Sequence, residues 1–155
     1  MFVLYHPKEG INMSENTTDL MQKLITTESD QNLSEYIGSI DGKYPLTFTD
    51  FMNGYLEKHG LSIADIQKQS GIDRNYIYQL INGRKNPGRD KIIAIAISAG
   101  MSLAECQRAL EITNEGILYP KNKRDSVIIY AINNSKSVMD LNWMLEDYNL
   151  PKLNT

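Results

Sequence analysis

The chain has 155 residues, of which 41% are hydrophobic and 23% are charged, and both fractions are close to the averages of globular proteins. This length suits one compact domain, or a small domain with an extension, and excludes two separate large domains. The net charge is −3. A single cysteine, no secretory signal and no long apolar run predict a protein without internal disulfides or membrane spans, in a reducing compartment that is most simply the bacterial cytoplasm.

Residues 1–12 show no helical period, whereas Met13-Ser14-Glu15 is typical of a protein start. One interpretation is that translation begins at Met13, because Lys8-Glu9-Gly10 is what a purine-rich ribosome-binding sequence encodes when it is read in frame. The other interpretation is that residues 1–12 form a disordered arm, since terminal residues are commonly loose.

Two short amphipathic helices are expected next, one over residues 17–25 and one over the apolar positions Leu33, Tyr36, Ile37 and Ile40. Residues 41–45 include a glycine and a proline and predict a break. Residues 1–44 carry seven acidic and three basic residues. We expect this acidic N-terminal segment to pack across the main body; the alternative is a disordered tail.

A longer helix is predicted from about Thr47 to His59, with Gly60 at its end. Its apolar positions, which should face inward, are Phe48, Phe51, Met52, Tyr55 and Leu56. His59 at the C-terminus of this helix is interpreted as ordinary capping electrostatics, because His6 is too isolated in the sequence to form a metal site with it. No metal site is predicted.

Residues 61–87 predict two short helices joined by a tight turn. Ser62 is an N-cap type of residue for a first helix that ends near Ser70, where Gly71 can adopt the left-handed conformation. Asp73 then caps a second helix. In that helix Ile77, Leu80 and Ile81 should face inward, leaving Arg74, Asn75, Tyr78 and Gln79 outward.

The polar side of the second helix, which Asn82-Gly83 should stop, carries groups that can contact DNA. Arginine can bond guanine with two hydrogen bonds, asparagine and glutamine can do the same with adenine, and tyrosine can reach phosphate. The alternative is an ordinary solvated helix face, because polar outer faces are the norm.

This stretch resembles the Xre family of lambda repressor-like and Cro-like helix-turn-helix regulators, through Leu61-Ser62, Ile66 and Gly71, the Asp73-Arg74 start and the ending at residues 81–87. The resemblance covers residues 48–111. It implies an all-α, lambda repressor-like five-helix domain that binds double-stranded DNA as a homodimer, with a recognition helix at about residues 74–82 in the major groove.

By the same resemblance, Arg74, Asn75 and Gln79 would contact bases. The predicted contacts to the DNA backbone are Tyr78, Asn82, Arg84, Lys85 and Ser62. The chain differs from the usual family pattern at Ile63, Gln67, Ser70 and Ile81. We expect the first difference to remove one backbone contact, and Gln67 and Ser70 to soften the packing of the motif.

The charge distribution supports this placement of DNA binding. Residues 45–99 carry seven basic and five acidic residues, whereas residues 100–155 carry six and seven, so the basic excess lies on the motif. An excess of +2 is modest. Binding should therefore be sensitive to salt, and base-specific contacts would have to supply the remaining affinity.

After the motif, two further helices are predicted from Gly88 and Ser102, and this helical pair is then repeated. A shift of 35 residues places residues 89–111 on residues 124–146 without a gap, with eight identities in twenty-three positions where ordinary composition would give roughly one or two. The repeat resembles stacked helical hairpins, in which each unit buries its apolar face on the next. Cys106 falls opposite Leu141, which predicts a small core residue rather than a reactive thiol.

Two features of the C-terminal part concern contacts with other molecules. Lys121, Lys123 and Arg124 precede the second copy of the hairpin and are interpreted as a solvated charge cluster, with phosphate contact as the alternative. The last predicted helix, residues 138–148, carries Trp143, the only tryptophan; if it is exposed, it marks a contact surface.

The sequence predicts three segments: residues 1–44, the helix-turn-helix domain at 45–113 and the C-terminal hairpin extension at 114–155. It contains no phosphate-binding glycine loop and no HExxH or CxxC motif, so neither an enzyme nor a cofactor is expected. The predicted function is sequence-specific DNA binding in transcription regulation. The alternative is an antitoxin-like or adaptor module that keeps the fold and holds a protein partner at its C-terminal hairpins.

Overall fold

The computed structural model describes residues 17–44 and 47–155, which form helices and no strands. Residues 1–12, for which two interpretations were given, lie outside this described part. The helices are α1 (Thr17–Ile25), α2 (Asp30–Ile40), α3 (Phe48–His59), α4 (Ile63–Ser70), α5 (Arg74–Ile81), α6 (Arg89–Ser98), α7 (Leu103–Ile112), α8 (Lys123–Asn133) and α9 (Val138–Asp147). The predicted all-α fold is confirmed.

Helix α3 begins and ends where its capping residues predict. The Thr47 side chain accepts a hydrogen bond from the N–H of Asp50, and Gly60 ends the helix with a φ of 61°. Among its apolar residues, only Phe51 is partly exposed, while the others are buried. The His59 ring stacks on the Tyr55 ring at 4.2 Å between centroids, so it packs on its own helix.

Helix α6 lies at the centre of the fold because its sequence is apolar on every side. Five consecutive residues from Ile92 to Ala96 are buried, which leaves no solvated face at that level. Helices α4, α7 and α9 all contact α6. One continuous hydrophobic core therefore joins the helix-turn-helix to the C-terminal extension, from Phe48 to Leu153.

The expectation that the acidic N-terminal segment packs across the body is wrong for α1 and α2. Neither helix contains a buried residue, and neither forms a substantial contact with another helix. Their apolar positions recur at helical spacing, but the larger side chains on that spacing, such as Ile25 and Ile37, remain exposed. Amphipathic periodicity predicted the helices correctly, and it carries no information about what covers the apolar stripe.

The two copies of the repeat pair reciprocally. The Arg89 guanidinium donates to both carboxylate oxygens of Asp125 at 2.9 and 2.8 Å, and Arg124 donates to both oxygens of Asp90 at 3.0 Å. Each arginine thus binds the aspartate of the other copy. The same exchange relates the helix contacts, since α6 touches α9 while α7 touches α8.

This reciprocity corrects the expectation of stacked hairpins. In a stack, a unit contacts the unit before it with one side and the unit after it with the opposite side. Here the two copies instead contact each other through equivalent elements. The copies are therefore related by an approximate two-fold rotation. A pocket of about 130 Å³ lies where they meet, and its lining consists of three equivalent pairs: Ile97 with Ile132, Gly100 with Ser135, and Met101 with Lys136.

The structural repeat is longer than the predicted 89–111 and 124–146. Asn114 and Asn149, which are 35 residues apart, both adopt positive φ, at 55° and 56°. The extended segment that follows each of them then folds back. Buried Leu118 exchanges backbone hydrogen bonds with the Gln107 side chain, and buried Leu153 donates its N–H to Asn142, the residue equivalent to Gln107.

The arginines also hold these returning segments. Arg89 donates to the carbonyls of Gly116 and Ile117, while Arg124 donates to the equivalent carbonyls of Pro151 and Lys152. The hydrogen bonds and charge of Asp125 raise the pKa of Arg89 despite burial. Because the Arg124 side chain binds Asp90 and the carbonyls of Pro151 and Lys152, it does not belong to the cluster of solvated or phosphate-contacting cations predicted at residues 121–124.

Cys106 is a core residue, as predicted. Its side chain is fully buried, and this burial raises the pKa of the thiol to about 12, although the nearby charge of Arg89 lowers it. A thiol with this pKa is protonated near neutral pH, so it packs as a small hydrophobic side chain.

Candidate nucleic-acid interface

The first helix of the motif, α4, begins with a capping box. Ser62 accepts a hydrogen bond from the N–H of Asp65 at 3.1 Å, and the Asp65 carboxylate accepts from the Ser62 N–H and hydroxyl at 2.9 and 2.8 Å. These hydrogen bonds, the backbone one first, lower the pKa of Asp65. Because the Ser62 hydroxyl is used within the box, it can meet a phosphate only by leaving Asp65.

The turn between α4 and α5 is stabilised by two residues that depart from the usual family pattern. Ser70 is fully buried, and its hydroxyl accepts the N–H of Ile72 at 3.2 Å, while the Gln67 amide donates to the Ile72 carbonyl at 3.1 Å. Both backbone groups of Ile72 are thereby satisfied by side chains. The expectation that Gln67 and Ser70 only soften the packing is therefore wrong.

Ile63, which replaces the glutamine usual in the family, is buried and belongs to the core. An apolar side chain in this position offers no hydrogen-bond donor to a phosphate. The expected loss of one backbone contact from α4 is consistent with this burial.

Helix α5 separates its polar and apolar residues as predicted. The Asp73 side chain caps it by accepting from the N–H of Tyr76. The apolar side, consisting of Ile77, Leu80 and Ile81, is at most 1% exposed. On the opposite side, Arg74 and Asn75 are exposed, and Tyr78 and Gln79 are partly exposed. An eight-residue helix rises about 12 Å, comparable to the width of the major groove.

The segment after α5 carries the remaining predicted contacts, because Asn82, Arg84 and Lys85 are all exposed. Gly83 adopts a φ of 79°, and a Cβ atom there would lie 2.8 Å from the Thr49 hydroxyl oxygen. A glycine is therefore needed for both conformation and space at this point. It lets the chain turn closely over α3 and leaves the two cationic side chains beside the end of α5.

Tyr76, on α5, was not among the predicted site residues, yet two cationic side chains lie over its ring. The ammonium groups of Lys85 and Lys91 lie 5.4 and 5.8 Å from the centre of its ring. Lys91 also donates to the carbonyl of Asn154 at 2.6 Å. The helical pattern of α5 does not single out Tyr76, because its cationic contacts come from lysines that are nine and fifteen residues away in the sequence.

The structure thus brings most of the predicted contacts together on α5 and the segment that follows it, while Ser62 lies at the start of α4. Within residues 17–44 and 47–155, no group of three histidine, cysteine, aspartate or glutamate side chains is arranged to hold a metal ion. The helices of the same described ranges are each too short or too polar to cross a bilayer.

Comparisons with known proteins agree with this geometry. Residues 55–114, from within α3 to just beyond α7, match the Helix-turn-helix family. No curated protein and no solved structure gave a significant match to the chain. The matched residues contain α4, its turn and α5, and helices α8 and α9 follow as an addition. Residues 55–114 therefore form a DNA-binding helix-turn-helix domain of the Xre, or lambda repressor-like, family, in an all-α chain that adds a C-terminal helical extension.

Proposed function

We propose that this protein binds double-stranded DNA sequence-specifically and regulates transcription, with α5 as the recognition helix. The observation that carries the proposal is the exposed polar side of α5, whose opposite side is buried almost completely. Arg74, Asn75 and Gln79 have the side chains that read base edges in the major groove, and a rigidly packed helix presents them together.

The proposed contacts to the DNA backbone lie around this reading surface. Arg84 and Lys85 supply charge, and Tyr78 and Asn82 supply hydrogen-bond donors. Ser62 belongs to this set only if its hydroxyl, which donates a hydrogen bond to the Asp65 carboxylate, donates to a phosphate instead when DNA is bound. With so few cations, nonspecific binding should be weak, which makes the base contacts decisive for affinity at physiological salt.

We further propose that the protein works as a homodimer, because domains of this type read two half-sites about one helical turn apart. The proposed pairing surface is the C-terminal extension. Its support is the exposure of Trp143, at 58%, and Tyr130, at 53%, since large aromatic side chains in contact with water are typical of interfaces.

The experiment that tests the DNA proposal compares two classes of alanine variant in a salt-titrated binding assay with the protein's own upstream DNA. Arg74→Ala and Gln79→Ala should each lose about 1–3 kcal/mol of binding free energy on the specific site and bind random DNA almost unchanged. Lys85→Ala should weaken both DNAs alike and reduce the salt slope by about one.

These side chains are at least partly exposed, so melting temperatures should stay near that of the parent. Arg108→Ala, far along the chain from α5, is the matched control for loss of a positive charge. Unchanged affinity of the Arg74 and Gln79 variants for the specific site, at matched salt, would refute the assignment of α5.

A second candidate function is favoured by one observation, the aromatic surface on α8 and α9. An antitoxin-like or adaptor module would use this surface for a protein partner and would show only weak DNA binding dominated by its salt slope. The same titration distinguishes the two functions, because an adaptor gains no affinity from the upstream sequence.

A further inference from the structure

The large apolar side chains that remain exposed in the described residues concentrate on two surfaces of the chain. The N-terminal stripe consists of Met21, Leu24, Ile25, Leu33 and Ile37 on α1 and α2. The C-terminal face consists of Tyr130, Met139, Trp143 and Tyr148 on and beside α8 and α9. Exposed apolar patches of this kind mark sites that bind another surface.

The approximate two-fold relation of the repeat indicates what fits the α8 part of the C-terminal face. On α9, Met139 is exposed in the same way as its equivalent, Ala104. Tyr130 is equivalent to Ile95 in the first copy, and Ile95 is fully buried, whereas Tyr130 is 53% exposed. Likewise Ile129, which is partly exposed, is equivalent to fully buried Ala94. In the first copy α4 covers α6 and α3 packs against α7. No such pair of covering helices packs on the second copy among the residues that the structure describes.

Helices α1 and α2 are a pair of helices with the required surface. They are nine and eleven residues long, and each has apolar residues at positions three or four apart on one side. Neither buries a residue within its own chain. Within residues 17–44 and 47–155, the N-terminal stripe and the C-terminal face are therefore two uncovered apolar surfaces that do not cover each other.

The charges of the two surfaces are complementary in part, because exposed Glu146 and Asp147 lie on α9 beside the lysines described below. Residues 17–44 carry five acidic and two basic residues. Exposed lysines flank the C-terminal face at both ends of α8, with Lys121 and Lys123 at its start and Lys136 after its end. Opposite charges at the rim of an apolar contact favour one partner and orientation over others.

We propose that in a homodimer α1 and α2 of one copy cover the C-terminal face of the other, and that the contact is returned. This inference rests on the homodimer proposed above and names the surfaces that form it. A reciprocal exchange closes after two copies and covers all four apolar surfaces, because both contacts are related by the same two-fold axis.

The test measures the molecular mass of the full chain by sedimentation, without DNA. Trp143→Arg disturbs the C-terminal face and introduces the residue found at the equivalent position, Arg108, in the first copy. The double variant Ile25→Glu with Ile37→Glu disturbs the N-terminal stripe. Tyr119→Lys is the matched control, since Tyr119 is 51% exposed but belongs to neither surface.

The parent and the Tyr119 variant should be dimers, and each surface variant should be a monomer with an unchanged helical circular dichroism spectrum. A mixture of the two surface variants should associate more than either variant alone, because a mixed pair keeps one of the two contacts intact. Pairing of two C-terminal faces would instead leave the Ile25 and Ile37 variant dimeric, which would overturn the inference, as would a mixture that associates no more than either variant alone.

A monomeric parent would overturn the proposed homodimer together with this inference. It would not affect the proposal that α5 is the recognition helix, which is tested by the DNA titration of the α5 variants. Variants of α5 should keep the parent's dimer mass, so the failure of either proposal can be recognised separately.

Discussion

Replacement of Arg89 by alanine should destabilise the protein more than the equivalent replacement of Arg124. Both arginines bind the aspartate of the other copy of the hairpin with two hydrogen bonds. The aspartates differ in burial, because the side chain of Asp125 is 8% exposed and that of Asp90 is 21% exposed. Arg89→Ala therefore leaves a carboxylate that is almost completely buried without its counter-charge.

The magnitude follows from what remains at each carboxylate. Among the donors of the described residues, Asp125 keeps the N–H of Tyr119, and Asp90 keeps the N–H of Asn154. Removal of one partner of a buried ion pair costs about 3–5 kcal/mol, and partial exposure reduces this value. We expect a loss of about 3 kcal/mol of unfolding free energy for Arg89→Ala and about 2 kcal/mol for Arg124→Ala. The melting temperature should fall by about 2–4 °C for each kcal/mol.

Urea unfolding of the single variants, together with Asp125→Asn and its combination with Arg89→Ala, gives a double-mutant cycle for the first pair. The coupling between Arg89 and Asp125 should be about 2 kcal/mol. Arg84→Ala, on an exposed residue, is the control and should lie within about 0.5 kcal/mol of the parent. A loss below about 1 kcal/mol for Arg89→Ala, or equal losses for both arginines with no coupling, would refute the reasoning, because such values belong to surface ion pairs.

Three further outcomes are expected. Cys106 should resist alkylation in the folded protein at pH 8 and react once the chain is unfolded in urea, since burial raises the pKa of its thiol to about 12; modification before unfolding would contradict this. Burial raises the pKa of Asp90, but the hydrogen bonds from Arg124 and Asn154 lower it below 3.8 overall. The ionised Asp90 therefore contributes to the free energy of unfolding above pH 3.8, and this contribution is lost as the pH falls through the lower folded pKa. The free energy of unfolding of Arg124→Ala should consequently fall less steeply on acidification than that of the parent. Gly83→Ala should lose about 1–2 kcal/mol of unfolding free energy from its positive φ and the contact with Thr49, whereas Gly88→Ala, which meets open space at a negative φ, should lose less.

Local sequence determined the helices of the motif because the decisive interactions span few residues. The Ser62 cap and Gly71 predicted α4 to its observed end at Ser70, and the spacing of Ile77, Leu80 and Ile81 predicted which side of α5 is buried. The candidate reading surface follows directly from that spacing, since residues on the opposite side of a packed helix must face outward.

Identity between residues 35 apart showed that a hairpin is repeated, but not how the copies pack. A repeated apolar pattern is compatible with a stack or with a two-fold pair, because each buries the same positions. The choice depends on contacts such as Arg89 with Asp125, which are 36 residues apart. Periodicity likewise does not predict which surface packs on α1 and α2, because it identifies an apolar stripe but not its partner.

The sequence by itself determined the helical class, the limits of the motif and the polar side of α5, since caps, glycines and periodicity act within a few turns of a helix. Only the tertiary structure showed that Gln67 and Ser70 satisfy Ile72, that Lys85 and Lys91 meet Tyr76, and that Arg124 is committed to Asp90. The physical reason is that the partner of a side chain depends on which groups lie near it in space. The sequence shows that the side chain can contact solvent, phosphate or protein, but not which of these it contacts.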